Sequence, residues 1–205
     1  MIKTWFNLEN PVLPTKNEFG KIYNIENYWD AGLNNNKKGS RHEYNKFSWP
    51  VLTQENVNQL YELITTQIKN PKILEICAGI GWLSYWLNKS GFDNIITTDN
   101  MTWKNTHNYS KSPIPTTKMG GLTAIKKYPD VNLIIMSWPP YRSVMPLQVL
   151  NKLRSDQCLL YIGEVWGCNA TGNFFLEWEK YSVVEVKTWN KFWGIHDSAY
   201  LIKRK

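Results

Sequence analysis

Apolar and polar positions alternate along this chain in two rhythms. Val57, Leu60, Ile64 and Ile68 recur at the spacing of one helix face. Thr53 stands where an N-cap belongs, and Pro71 closes the segment. Lys72 to Cys77 is a short apolar run of the kind that forms a buried parallel strand. Ala78-Gly79-Ile80-Gly81 then turns the chain into a helical pattern from Trp82 to Lys89, with Gly91 as its stop. Asn94 to Thr98 reads as a second strand ended by Asp99, which completes a βαβ unit. Residues 100 to 118 read as a loop or short irregular helix. Further on, Leu122–Lys127, Leu147–Leu153 and Phe174–Glu179 have helical patterns, while Val131–Met136 and Cys158–Ile162 read as buried strands. Ser182 to Thr188 alternates in strand fashion, and Ser198 to Ile202 is a last short strand. The order predicts an α/β domain: a mostly parallel sheet, helices on both faces, and an antiparallel hairpin at one edge.

The first fifty residues depart from this rhythm. They are polar, rich in asparagine and in aromatics, and Gly32 to Gly39 reads as an exposed loop. Residues 1–70 are therefore expected to be an aromatic-rich extension and helix, and residues 71–205 the α/β domain. Tyr44, Phe47 and Trp49 could fold over a ligand as a lid, or anchor the extension on the domain.

Composition adds limits. The chain has 205 residues, 42% hydrophobic and 20% charged, which is globular rather than disordered. A net charge of +7 favours anionic partners, nucleic acid among them, but is also ordinary for solubility. The basic residues are scattered (Lys37, Lys38 and Arg41; Lys126 and Lys127; Lys203, Arg204 and Lys205) without a long run. The three cysteines, Cys77, Cys158 and Cys168, contain no Cys-x-x-Cys pair, which argues against a zinc site and for a reducing compartment. Met1 to Phe6 lacks the apolar core of a signal peptide, and no apolar run nears the roughly 20 residues that span a bilayer. The expectation is a cytoplasmic protein with no membrane and no metal.

Candidate chemistry begins at Glu75-Ile76-Cys77-Ala78-Gly79-Ile80-Gly81. A strand, a glycine turn and a helix start let backbone approach a ligand and offer it free N–H groups. Asp99, at the end of the second strand, can accept both hydroxyls of a ribose. Glu75 is a carboxylate inside an apolar strand, costly unless paired. It would sit badly beside a pyrophosphate and suits a cationic cofactor, or else it caps a local hydrogen-bond network. A dinucleotide fold wants a third glycine where this chain has Ser84.

The segment Leu74 to Gly81 resembles motif I of class I S-adenosylmethionine-dependent methyltransferases, with Cys77 in place of its first glycine. Ser137-Trp138-Pro139-Pro140-Tyr141 is similar to motif IV of the members that act on exocyclic amino groups of bases. Trp138 stands there in place of Asp, Asn or Ser, and Ser137 could serve only in a shifted register. Tyr44 to Pro50, Trp138 to Tyr141 and Tyr161 to Glu164 look like stretches of small methyltransferase-like proteins without an assigned substrate. The resemblance covers roughly residues 72 to 203. It implies a Rossmann-like, mostly parallel seven-stranded sheet with a C-terminal antiparallel hairpin, and S-adenosyl-L-methionine as cofactor. The cofactor residues it implies are Glu75, Cys77, Ala78, Gly79, Gly81, Trp82, Asp99, Asn100 and Ser137.

On this reading, Trp138, Tyr141 and Glu164 are the catalytic candidates, Glu164 as a base at the carboxyl edge of the sheet. Pro139, Pro140, Tyr44, Trp49 and His196 are the candidates for binding an acceptor. Two prolines in succession make a rigid turn that donates no backbone N–H, and aromatic faces suit flat groups or cations. The function expected is methyl transfer to an unidentified acceptor: a small molecule, a protein or a nucleic acid. Two alternatives stand beside it, a nicotinamide-dependent oxidoreductase and a nucleic-acid-binding domain with a vestigial cofactor site.

Overall fold

The structure, a computed structural model, describes residues 5–23, 41–102 and 111–205. The loop expected at Gly32 to Gly39, Lys37, Lys38 and His107 lie outside the described residues.

Among the described residues, three helices precede the sheet: α1 (Lys16–Gly20), α2 (Arg41–Tyr44) and α3 (Gln54–Gln67). Thr15 and Glu18 form a reciprocal capping box on α1, and Thr53 caps α3 through its hydroxyl, as its position predicted. The α/β part runs β1 (Ile73–Ile76), α4 (Trp82–Lys89), β2 (Ile96–Asp99), β3 (Thr117–Lys118), α5 (Gly121–Lys127), β4 (Leu133–Ser137), α6 (Met145–Lys152), β5 (Cys158–Glu164), α7 (Gly172–Trp178), β6 (Ser182–Glu185) and β7 (Asp197–Lys203). Together the strands form one seven-stranded sheet of order β3-β2-β1-β4-β5-β7-β6. The first five in that order are parallel, and β7 is antiparallel to both of its neighbours. This is the Rossmann-like mixed sheet with a C-terminal antiparallel hairpin.

Every residue of β1, β4 and β5 is buried, which is why each reads as an apolar run. Alternate residues serve opposite faces. Ile73, Leu133, Ile135, Leu160, Ile162 and Leu201 pack with Val57, Leu60 and Ile64 of α3 and with Trp82, Leu83 and Leu87 of α4. Leu74, Ile76, Ile134, Met136, Leu159 and Ile202 pack with Ala124, Val149, Leu150, Phe174 and Phe175 of α5, α6 and α7. Helices thus cover both faces.

The N-terminal aromatics belong to the first of these cores. Trp5, Phe6, Phe19, Tyr23 and Tyr44 are buried with Phe192, and most of their ring pairs meet edge to face. Asn56 fastens this layer by donating its side-chain N–H groups to the carbonyls of Val51 and Asn190, both at 2.8 Å.

Four details differ from the sequence reading. β3 has two exposed residues within the stretch read as loop or irregular helix, so no apolar pattern marks it. β4 runs on through Ser137, and β5 through Gly163 and Glu164, because the ladder between them extends to the pairs Ser137–Ile162 and Glu164–Asp197 with β7. β6 stops at Glu185 and is exposed throughout, as befits an edge. The hairpin also does more than decorate that edge: β7 lies inside it, between β5 and β6.

No helix among the described residues is long and apolar enough to cross a membrane, and none of their His, Cys, Asp and Glu side chains group to hold a metal ion.

Candidate active site

A cavity of about 740 Å³ opens at the carboxyl ends of β1, β2 and β4, the edge where open α/β sheets bind ligands. Its floor is the turn after β1. Cys77, Gly79 and Gly81 all have left-handed backbones, with φ of 57°, 58° and 85°. Glycine adopts this conformation freely, whereas Cys77 does so at a cost of about 1–2 kcal/mol. Asp99, the last residue of β2, braces the turn from the side. Its Oδ2 accepts the Gly79 N–H at 2.9 Å and its Oδ1 accepts the Met101 N–H at 2.6 Å. Asp99 and Gly79 both border the cavity.

Glu75 lies beneath, fully buried in β1. Ser84 donates its hydroxyl to Oε2, while Oε1 has no hydrogen-bond partner. Burial pushes the Glu75 carboxyl up to about 8, against the pull of the Ser84 hydrogen bonds and with a push from the Asp99 charge. One oxygen of Glu75 thus sits in a local network, and the residue borders the cavity. The side chain in place of the third glycine is what supports that network. Burial likewise pushes the Cys77 thiol up to about 12, helped by the Asp99 and Glu75 charges, which keeps it a neutral thiol.

The opposite wall is the turn after β4. Ser137 borders the same cavity, and its hydroxyl is buried with no hydrogen-bond partner among the described residues. Trp138 follows in a left-handed conformation, φ 46°, held by its N–H to the Ile162 carbonyl at 2.8 Å. Its indole N–H donates to Asp197 Oδ2 at 3.3 Å, and its ring stacks on Trp49 with centroids 5.6 Å apart. Burial pushes Asp197 up to about 6, against the pull of the Trp138 N–H and of the Arg41 and Lys191 charges. Asn169 clamps the prolines: its side-chain amide donates to the Pro139 carbonyl at 3.0 Å and accepts the Glu164 N–H at 2.9 Å. Gly163 makes room for that clamp, since a Cβ there would lie 2.7 Å from Asn169 Oδ1. Tyr141 stands at the rim, 61% exposed.

Thirteen of the expected residues border this one cavity: Glu75, Cys77, Ala78, Gly79, Trp82, Asp99, Asn100, Ser137, Trp138, Pro139, Pro140, Tyr141 and Trp49. Four do not. Gly81 faces the chain segment above it, where a Cβ would come within 3.0 Å of Ile114 and Thr116. Tyr44 is buried among aromatics, with its hydroxyl bonded to the Leu52 N–H and the Pro50 carbonyl, so it anchors the extension. Glu164 turns its carboxylate to the backbone N–H groups of His196 (3.0 Å) and Cys168 (3.1 Å). Burial raises its pKa, but those hydrogen bonds and the Arg41 charge outweigh this and hold it below the usual range, an unfavourable setting for a base. His196 serves Glu164 through its backbone and lines no part of the cavity.

Several wall residues carried no distinguishing signal in the sequence. Arg41 was one basic residue among 24, and Asn169 one asparagine in a loop. Gly120, Gly121, Leu122 and Thr123 form the wall beside β2.

No family model matches this chain, and no curated protein matches it. Solved structures of similar chain course exist at low identity. Ribosomal protein L11 methylase from Lactobacillus delbrueckii subsp. bulgaricus is 14% identical, with a TM-score of 0.45 over 72% of this chain and 76% of that one. Precorrin-6y C5,15-methyltransferase from Geobacter metallireducens GS-15 is 12% identical, with a TM-score of 0.47 over 75% and 89%. A TehB-like SAM-dependent methyltransferase from Corynebacterium glutamicum is 17% identical, with a TM-score of 0.44 over 72% and 87%. Likeness at this level concerns the path of the chain and not its chemistry.

Proposed function

We propose that this chain is an S-adenosylmethionine-dependent methyltransferase whose cofactor lies along the glycine turn and whose acceptor enters beside the Trp-Pro-Pro-Tyr turn. The observation that carries this reading is the Asp99 carboxylate bonded to the Gly79 N–H on the wall of a cavity large enough for a nucleoside ligand. A carboxylate offers about four lone-pair positions, so bracing the turn is compatible with accepting ribose hydroxyls. Glu75 supports the choice of cofactor. A cationic ligand would favour the ionised form of this carboxyl, which otherwise keeps its proton up to about pH 8, whereas a pyrophosphate would oppose that ionisation.

When bound, S-adenosylmethionine supplies a methyl group already attached to a good leaving group. What the chain adds is position and dryness. Asp99 and Gly79 hold the nucleoside, and Glu75 balances positive charge. Ser137 offers its buried hydroxyl to the acceptor, and Trp138, Pro139 and Pro140 exclude water from the line of transfer. Orientation of this kind is worth up to roughly 7–11 kcal/mol of a barrier.

Isothermal titration tests the reading. Wild-type protein should bind S-adenosylmethionine and S-adenosylhomocysteine with roughly micromolar Kd. Asp99→Ala should lose that binding, and Asp99→Asn, which keeps one acceptor for the turn, should retain the fold and still bind weakly. Absence of binding to folded wild-type protein, or tight binding of NADH instead, would remove the proposal.

A further inference from the structure

The cavity wall carries one arginine that the cofactor reading leaves unused. Arg41 borders the cavity from α2. Its guanidinium carbon lies 4.7 Å from the centre of the Trp138 ring and 5.7 Å from that of Trp49. These two rings belong to the acceptor wall, opposite the glycine turn. The Nε and Nη2 atoms of Arg41 are buried and have no hydrogen-bond partner among the described residues. The Asp197 and Glu164 carboxylates act on its charge, but neither accepts a hydrogen bond from it. Asp197 Oδ2 takes the Trp138 indole N–H, and Glu164 takes the backbone N–H groups of His196 and Cys168.

A guanidinium removed from water wants both charge compensation and acceptors for its N–H groups. The Asp197 and Glu164 charges and the two aromatic faces supply part of the first and none of the second. A planar fork of donors on a cavity wall matches an oxyanion, which it can bind through two parallel hydrogen bonds.

Resting on the methyltransferase reading, we propose that the methyl acceptor carries an oxyanion, a carboxylate or a phosphate, and that Arg41, backed by Trp49 and Trp138, is the residue that recognises it. Arg41 thereby selects the acceptor and fixes its direction in the cavity, while the cofactor binds without it.

The test uses the full chain and three probes: benzoate, phenyl phosphate and the neutral methyl benzoate. Binding is measured by calorimetry with and without saturating S-adenosylhomocysteine, and the Arg41 Nε–H is followed by NMR. At least one of the two anions should move the Arg41 resonance and bind about tenfold or more tighter than methyl benzoate. The stronger of the two tells carboxylate from phosphate. Arg41→Gln should erase the preference and leave S-adenosylhomocysteine affinity unchanged. Arg41→Lys, which keeps the charge and loses the fork, should retain part of it and so show that the wall has not collapsed. Equal binding of methyl benzoate, an unmoved Arg41 resonance, or a preference that survives Arg41→Gln would overturn the proposal. Arg41-dependent anion binding without S-adenosylhomocysteine binding would remove the methyltransferase reading and leave the oxyanion site. The converse result would do the opposite.

Discussion

Ser84 donates its hydroxyl to the carboxylate of Glu75, joining the first turn of α4 to the middle of β1 beneath the cavity. The pair determines how the protein should respond to pH. Glu75 is raised to about 8 in the folded state, whereas an unfolded glutamate has an ordinary value near 4.3. Between those values the folded protein holds a proton that the unfolded chain has lost, so this group's contribution to stability is full at acid pH and fades as pH rises through about 8. Urea unfolding of wild type and Glu75→Gln at pH 5, 6.5 and 8 should show the stability difference shifting in favour of the variant as pH increases. A difference that stays constant over that range would refute the assignment. Ser84→Ala should push the Glu75 carboxyl higher still.

Tyr44 separates anchoring from ligand contact. Its hydroxyl accepts the Leu52 N–H at 2.7 Å and donates to the Pro50 carbonyl at 3.1 Å. Tyr44→Phe should cost about 1–3 kcal/mol by leaving a buried N–H without its acceptor. S-adenosylhomocysteine affinity should not change. Weakened binding with undiminished stability would return Tyr44 to the lid.

Gly163 is tested by crowding. The methyl group of Gly163→Ala would meet Asn169 Oδ1 at 2.7 Å and the Tyr161 hydroxyl at 2.9 Å. Asn169 must then move, and the Pro139 carbonyl loses its donor. A loss of about 1–3 kcal/mol in urea unfolding is expected. A stability equal to wild type would mean that the clamp is not tight.

Gly79 and Gly81 should differ although both are left-handed. A Cβ on Gly81 meets Ile114 and Thr116 at 3.0 Å, whereas one on Gly79 finds nothing within 4 Å. Gly79→Ala should therefore cost only the conformational penalty of about 1–2 kcal/mol, with weaker S-adenosylhomocysteine binding. Gly81→Ala should be the less stable of the two. The reverse order, read by thermal melts and calorimetry, would contradict the placement of the 111–116 segment.

Buried strands and helix faces were legible because burial on both sides leaves an apolar run and burial on one side leaves a period. The helix at Trp82–Lys89 and the Thr53 cap are instances. β3 was invisible for the same reason: Thr117 and Lys118 bury nothing, and only pairing with β2 makes them a strand. The meeting of Glu75, Gly79 and Asp99 at one cavity was legible because it depends on a spacing within one βαβ unit. Arg41, Asn169 and the inward turn of the Glu164 carboxylate were not. Each depends on segments brought together from distant parts of the chain, and no local pattern records that a carboxylate will find backbone N–H groups from residues 168 and 196.

The place of β7 between β5 and β6 bears on how the protein reaches its folded state. β6 precedes β7 in the chain, yet among the described residues it pairs with β7 alone. Until residues 197–203 have left the ribosome, β5 presents a bare row of amides and carbonyls to whatever chain is near. Distant pairings of this sort close slowly. Asp197, which receives the Trp138 indole, arrives on that same strand. The wall that carries Trp138 therefore gains this support only once β7 is in place, and a nascent chain halted before β7 would have the glycine turn without a finished pocket opposite it.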